Sequence, residues 1–263
     1  MIRTIRPPAV AGAFYPADPG QLTHMIQQYL AAAPPNGPTP KALVAPHAGY
    51  VYSGPVAASG YRLVQNMRDK VRRVILVGPS HRVPFYGLAA SSADAFATPL
   101  GEVPLDEEAK EILRSLPQIQ VSDVAHQSEH SLEVHLPFLQ MVLDHFTLVP
   151  LVAGQATPSE VADVLEALWG GDETLVVVSS DLSHYHDYWT ARAIDAETTQ
   201  MIEQRNWQGL TGERACGYVG IRGLLKLAQQ HDYHVTTIDV RNSGDTAGDK
   251  RQVVGYGTYV LHR

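Results

Sequence analysis

Histidines placed just beyond short apolar runs are the first residues in this sequence that suggest chemistry. Ala42-Leu43-Val44-Ala45 reads as a buried strand and opens through Pro46 onto His47. Val74-Ile75-Leu76-Val77 repeats the layout, running through Gly78-Pro79-Ser80 onto His81. The most apolar β-branched run, Leu175-Val176-Val177-Val178, reads as a central strand and leads through Ser179-Ser180 to Asp181 and His184. In one parallel sheet these side chains emerge together at the carboxyl edge, where open α/β folds bind their ligands.

Two imidazoles and one anionic side chain satisfy a divalent transition metal and leave positions open for water, oxygen or substrate. The residues leave the third donor open. Asp181 would give a set like the facial triad of non-haem Fe(II) oxygenases, whereas Cys216 would favour softer metals, zinc or copper among them. His184 is then placed to act as a general base beside the metal. Asp181 has an equal claim to capping a following helix. Cys216 precedes a helix whose N-terminus would stabilise a thiolate, and taken alone it reads as a small buried apolar residue.

A further cluster, Glu129-His130-Ser131-Leu132-Glu133-Val134-His135, reads as helical. His130 and Glu133 would share a face, either as neighbours of the site or as a solvent-facing pair, and His135 would point elsewhere. Its two histidines are five apart, not the four of the zinc-protease helix.

The positioning elements follow from apolar spacing. Asp18 caps a helix with Leu22, Met25, Ile26, Tyr29 and Leu30 inward, and a second helix runs from Gly54 to Gln65 between the first two histidine strands, making a βαβ unit. Leu88 to Ser91 and Thr98 to Pro104 suggest an antiparallel excursion, and Asp106 caps a helix to Leu116. Phe146 to Val152 reads as a strand; Ser159 to Trp169, Thr190 to Gln204 and Val219 to Gln230 read as helices. Strands at Val235 to Val240 and Val253 to Leu261 close the chain, with Asn242 to Lys250 expected as a mobile loop. The expected fold is α/β, three-layered, with a mostly parallel central sheet and helices on both faces, in one domain over residues 1–263.

Composition narrows the function classes. The 263 residues are 44% hydrophobic and 18% charged, as expected of a globular chain. A net charge of −7 with no basic run argues against nucleic-acid binding and leaves small molecules or peptides as ligands. No apolar run approaches the roughly 20 residues of a membrane span, and the N-terminal residues lack a signal-peptide core, so a cytoplasmic location is expected. A single cysteine excludes an intrachain disulfide and a cysteine-only zinc site.

Taken together, Pro46-His47-Ala48-Gly49-Tyr50, Gly78-Pro79-Ser80-His81, the Glu129 to Pro137 segment, Ser179-Ser180-Asp181-Leu182-Ser183-His184 and Cys216-Gly217 resemble the Memo family, named from the mediator of cell motility. The resemblance implies a fold like that of the class III extradiol dioxygenases, with His47, His81 and Cys216 as metal ligands. Asp181 and His184 would line the same pocket. The dioxygenases use glutamate where Cys216 stands, and Tyr218-Val219 departs from the His-Pro of animal relatives. Bacterial and archaeal members are associated with the AmmeMemoRadiSam system, which implies a radical-SAM protein as partner. The expected function is metal binding, iron first and copper or zinc next, with redox or oxygen chemistry on a small substrate. His184, Asp181, Glu133 and His130 are the expected catalytic set. A non-catalytic binding module and a zinc-dependent hydrolase are the alternatives.

Overall fold

A computed structural model describes residues 2–263. The strands are β1 (Ile5–Arg6), β2 (Ala42–Ala45), β3 (Arg73–Pro79), β4 (Leu88–Ala90), β5 (Ala95–Thr98), β6 (Gly101–Pro104), β7 (Ile119–Val121), β8 (Thr147–Ala153), β9 (Thr174–Ser179), β10 (His184–His186), β11 (His234–Asn242) and β12 (Val253–His262). The helices are α1 (Pro19–Ala32), α2 (Tyr50–Val64), α3 (Glu107–Arg114), α4 (Asp123–Gln127), α5 (Leu136–Val142), α6 (Pro158–Leu168), α7 (Tyr188–Glu203), α8 (Tyr218–Gln230) and α9 (Ser243–Thr246).

Four strands, β2, β9, β3 and β8, form the parallel centre of a nine-stranded sheet. They are apolar at nearly every position because both of their faces are covered. Side chains alternate between two cores. Leu43, Ala45, Val74, Leu76, Leu175 and Val177 pack with Leu22 and Ile26 of α1, Tyr61 of α2 and Phe138 of α5. Ala42, Val44, Ile75, Val77, Val176 and Val178 pack with Val161 and Leu165 of α6 and Ile221 and Leu224 of α8. Three layers result, as expected. The edges are mixed: β12 runs antiparallel to β2, and β10 and β11 antiparallel to β12, while β4 runs antiparallel to β8.

The two histidine strands are not neighbours. β9 lies between β2 and β3, parallel to both, so the expected βαβ unit is split by a strand that begins only at Thr174. That insertion brings Asp181 and His184 to the same cleft as His47 and His81. His47, His81 and Asp181 each lie two residues past the end of their strand, at one sheet edge.

The Asp18 and Asp106 caps are present. α2 starts at Tyr50, not Gly54, because Tyr50 is drawn inward: its N–H donates to Phe14 O, and its ring packs on Tyr15 and Phe138. The first part of the segment expected as a loop, from Asn242 to Thr246, is a short helix with its cap. Asn242 and Asp245 form a capping box on α9, and Tyr188 Oη donates to Asp245. Residues after Asp181 run into β10, so this carboxylate caps no helix. The expected antiparallel excursion is divided: Leu88–Ala90 joins the large sheet as β4, while β6 pairs antiparallel with β5, a strand not expected, and β1 completes a separate three-stranded sheet.

Candidate metal centre

His47 Nε2, one ring nitrogen of His81 and Cys216 Sγ lie within 4.8 Å of one another. Cys216 Sγ is 3.4 Å from His47 Nε2 and accepts from Asp181 N at 3.3 Å. The sulfur comes this close because Gly217 has no side chain: a Cβ there would lie 2.2 Å from Ser179 O and 2.6 Å from Ser180 Cβ. Asp181 Oδ1 accepts from His47 N, while Oδ2 faces His47 Nε2 at 3.8 Å. Two imidazoles, a thiol and a carboxylate thus meet at one sheet edge.

Each ligand-type histidine is held from behind. His81 Nδ1 donates to Glu129 Oε1 at 2.8 Å, and His81 N donates to Glu129 Oε2 at 2.6 Å. His47 Nδ1 is 2.6 Å from Ser179 Oγ. These contacts leave Nε2 of each ring for the cluster, the arrangement by which outer partners orient metal-binding imidazoles. A soft sulfur beside two imidazole nitrogens is a donor set suited to a divalent transition metal. The residues present therefore fit such an ion.

The electrostatics follow from burial. His47 is buried and its pKa lies well below the ordinary value, through desolvation and then the neighbouring His81 and His130. His130 shifts the same way for the same first cause. Glu129 ends at about 2: burial pushes it up, but hydrogen bonds from His81 and from backbone N–H groups outweigh this. Burial raises Asp181. It also pushes the Cys216 thiol up to about 12, with the Asp181 charge adding to the effect. The expected helix-stabilised thiolate is thus reversed: without a metal, desolvation outweighs the backbone N–H groups at the start of α8.

The cluster opens onto a cleft of about 620 Å³. His184 lines it beside His130 and Asp181, and Phe14, Tyr52, Tyr185 and Tyr256 give it aromatic walls. Tyr185 holds a φ of +64°, a conformation that β-carbon crowding disfavours and that turns the chain sharply at the rim. His130 stacks on His81 with ring centroids 4.6 Å apart and also meets Phe14, tilted, at 4.6 Å.

The helical reading of Glu129 to His135 fails. His130 lies outside any helix, and Glu133 begins a single 3-10 turn. Glu133 is buried, not solvent-facing, and turns away from the histidines. Its carboxylate receives Arg6, Tyr15 Oη at 2.7 Å, Ala9 N at 2.7 Å and Val10 N at 2.9 Å. This is an anchor for the N-terminal segment, so the expectation of a catalytic Glu133 has no geometric support. Glu129 is the acidic residue that reaches the cluster. Its adjacency to His130 was a visible signal, but spacing rules for helices gave it no partner.

A family model described as Memo-like protein matches residues 6–260. A MEMO1 family protein of Thermotoga neapolitana is 36% identical over 98% of this chain and 99% of its own. Those of Sulfolobus acidocaldarius and Aquifex aeolicus are 35% and 34% identical, each over 96% of this chain and 97% of its own. A crystal structure of an uncharacterized protein from Escherichia coli K12 superimposes with a TM-score of 0.51 at 13% identity, over 83% of this chain and 98% of that one. At that identity the likeness concerns the fold alone.

Proposed function

The chain belongs to the Memo family, and from that premise we propose that it binds one divalent transition metal through His47, His81 and Cys216 and acts on a small molecule in the adjoining cleft. The observation that carries this reading is the meeting of two rear-supported imidazoles with a thiol. Iron is the first choice of metal, with copper or zinc next. When bound, such an ion supplies Lewis acidity and, for iron or copper, redox or oxygen chemistry.

The chain's own residues have separate tasks. Asp181 fixes the His47 backbone through its N–H. His184 borders the cleft and is the residue proposed to move a proton to or from the substrate. His130, stacked on His81, lines the same wall. The aromatic walls exclude water and orient a flat ligand. The resemblance to extradiol dioxygenases supports oxygen chemistry as the reaction class, in a cytoplasmic protein acting as one domain alongside a radical-SAM partner.

Elemental analysis after anaerobic Fe(II) loading tests the metal. About one ion per chain is expected, falling to background in the His47→Ala/His81→Ala double variant. Equal content in both would contradict the site. Ring opening of catechols under Fe(II) tests the reaction class separately, and absence of turnover would remove the dioxygenase reading while leaving metal binding intact.

A further inference from the structure

The Glu129 to His135 segment reaches the supports of both histidine ligands, His81 directly through Glu129 and His47 through Ser179. Ser131 lies at its centre. Its N–H donates to Glu129 Oε1 at 3.0 Å, its Oγ donates to Pro79 O at 2.9 Å at the end of β3, and its carbonyl accepts from Ser179 Oγ at 2.6 Å. Glu129 holds His81 and Ser179 holds His47. One residue therefore joins the supports of both ligands.

Proton counting fixes the direction of every bond in this group. A serine hydroxyl has one hydrogen and a carbonyl only accepts, so the Ser179 proton points to Ser131 O. Ser179 Oγ must then accept from both remaining neighbours, His47 Nδ1 at 2.6 Å and His135 Nε2 at 2.9 Å. With its proton on Nε2, His135 presents a bare Nδ1, which accepts from Tyr61 Oη at 2.7 Å. With its proton on Nδ1, neutral His47 presents a bare Nε2 towards Cys216. His135 is 1% exposed and Ser179 and Tyr61 are fully buried, so water does not compete for these bonds.

We propose that Ser179, His135 and Tyr61, tied through Ser131 to Glu129, are positioning residues that lock His47 as an Nε2 ligand and hold it in register with His81. This deepens the metal-binding reading and rests on it for the ligand roles. The tautomer itself is a property of the metal-free protein. A ligand histidine free to exchange tautomers would be blocked at Nε2 for part of the time and would bind more weakly.

Long-range ¹H–¹⁵N NMR on the metal-free chain reads the tautomers directly. The proton is expected on Nδ1 of His47 and on Nε2 of His135. Ser179→Ala should give a mixed His47 tautomer, lower Co²⁺ affinity by roughly 10- to 100-fold, and shift the visible spectrum of the Co²⁺ form, with Ser179→Thr restoring both. Tyr61→Phe, which removes only the outermost donor, should change His135 more than His47. A proton on His47 Nε2 in the wild type, or a Ser179→Ala variant with unchanged tautomer and affinity, overturns the proposal. Wild-type protein that takes up no metal while showing the expected tautomers would contradict the metal-binding reading instead.

Discussion

Cys216 Sγ and His47 Nε2 lie 3.4 Å apart although 169 residues separate them in sequence. An Asp181 carboxylate oxygen lies 3.8 Å from the same nitrogen. A cation among these groups would resolve the meeting of lone pairs. Replacing Cys216 by Ser should therefore weaken metal binding and abolish the thiolate-to-metal charge-transfer band of the Co²⁺ form. A band that persists in Cys216→Ser would remove the sulfur from the ligand set.

Gly217 controls how close that sulfur can come. In Gly217→Ala the added methyl would meet the Ser179 carbonyl at 2.2 Å, and backbone must move to relieve the contact. The expected outcome is a folded but less stable protein with metal affinity reduced at least 10-fold, comparable to loss of an outer partner. Titration with Zn²⁺ beside a thermal melt separates the two effects, and wild-type affinity in this variant would show that the tight packing is incidental.

Glu129 and Glu133 should behave in opposite ways. Glu129→Gln removes the carboxylate behind His81 and should lower metal affinity by about 10- to 100-fold with a smaller change in stability. Glu133→Gln breaks a buried pair with Arg6, in which the side chains are 0% and 7% exposed, and should cost about 3–5 kcal/mol of stability. Metal bound per folded chain should stay unchanged. Urea unfolding and metal titration on both variants would expose any exchange of these roles.

Acid should destabilise the metal-free protein in two stages. Burial pushes His126 down to about 4 and His135 to about 3, so the unfolded chain takes up these protons near pH 6.5 while the folded chain resists. Their contribution is complete above pH 6.5 and is lost as pH falls towards 4 and 3, with a slope up to about 1.4 kcal/mol per pH unit per histidine. Glu129, at about 2 when folded, adds stability that is present above pH 4.5 and lost below it. Urea midpoints at pH 7, 5.5 and 4 should fall in that order, and a flat profile would contradict neutral buried histidines.

Much of the scaffold was legible because its signals are local. Apolar runs located β2, β3, β8 and β9, and the aspartate caps located α1 and α3. The strand order was not legible: β9 enters between β2 and β3 through pairings across more than a hundred residues, which no local pattern encodes. His47, His81 and Cys216 were found by position after strands and by resemblance, and they do meet. Glu133 was misplaced because its partner Arg6 lies 127 residues away in β1 and pulls the carboxylate inward. Ser179 and His135 were passed over because a serine ending an apolar strand and a histidine off the expected face carry no spacing signature. Their role follows only from the hydrogen bonds they share.

X-ray absorption at the metal edge of the Fe(II)-loaded protein tests the site most directly, because it counts ligand atoms by type. Two imidazole nitrogens and one sulfur, with the sulfur contribution lost in Cys216→Ser and the imidazole scattering lost in the His47→Ala/His81→Ala variant, are expected. A spectrum of oxygen and nitrogen scatterers alone, unchanged by either substitution, would contradict a metal centre at His47, His81 and Cys216.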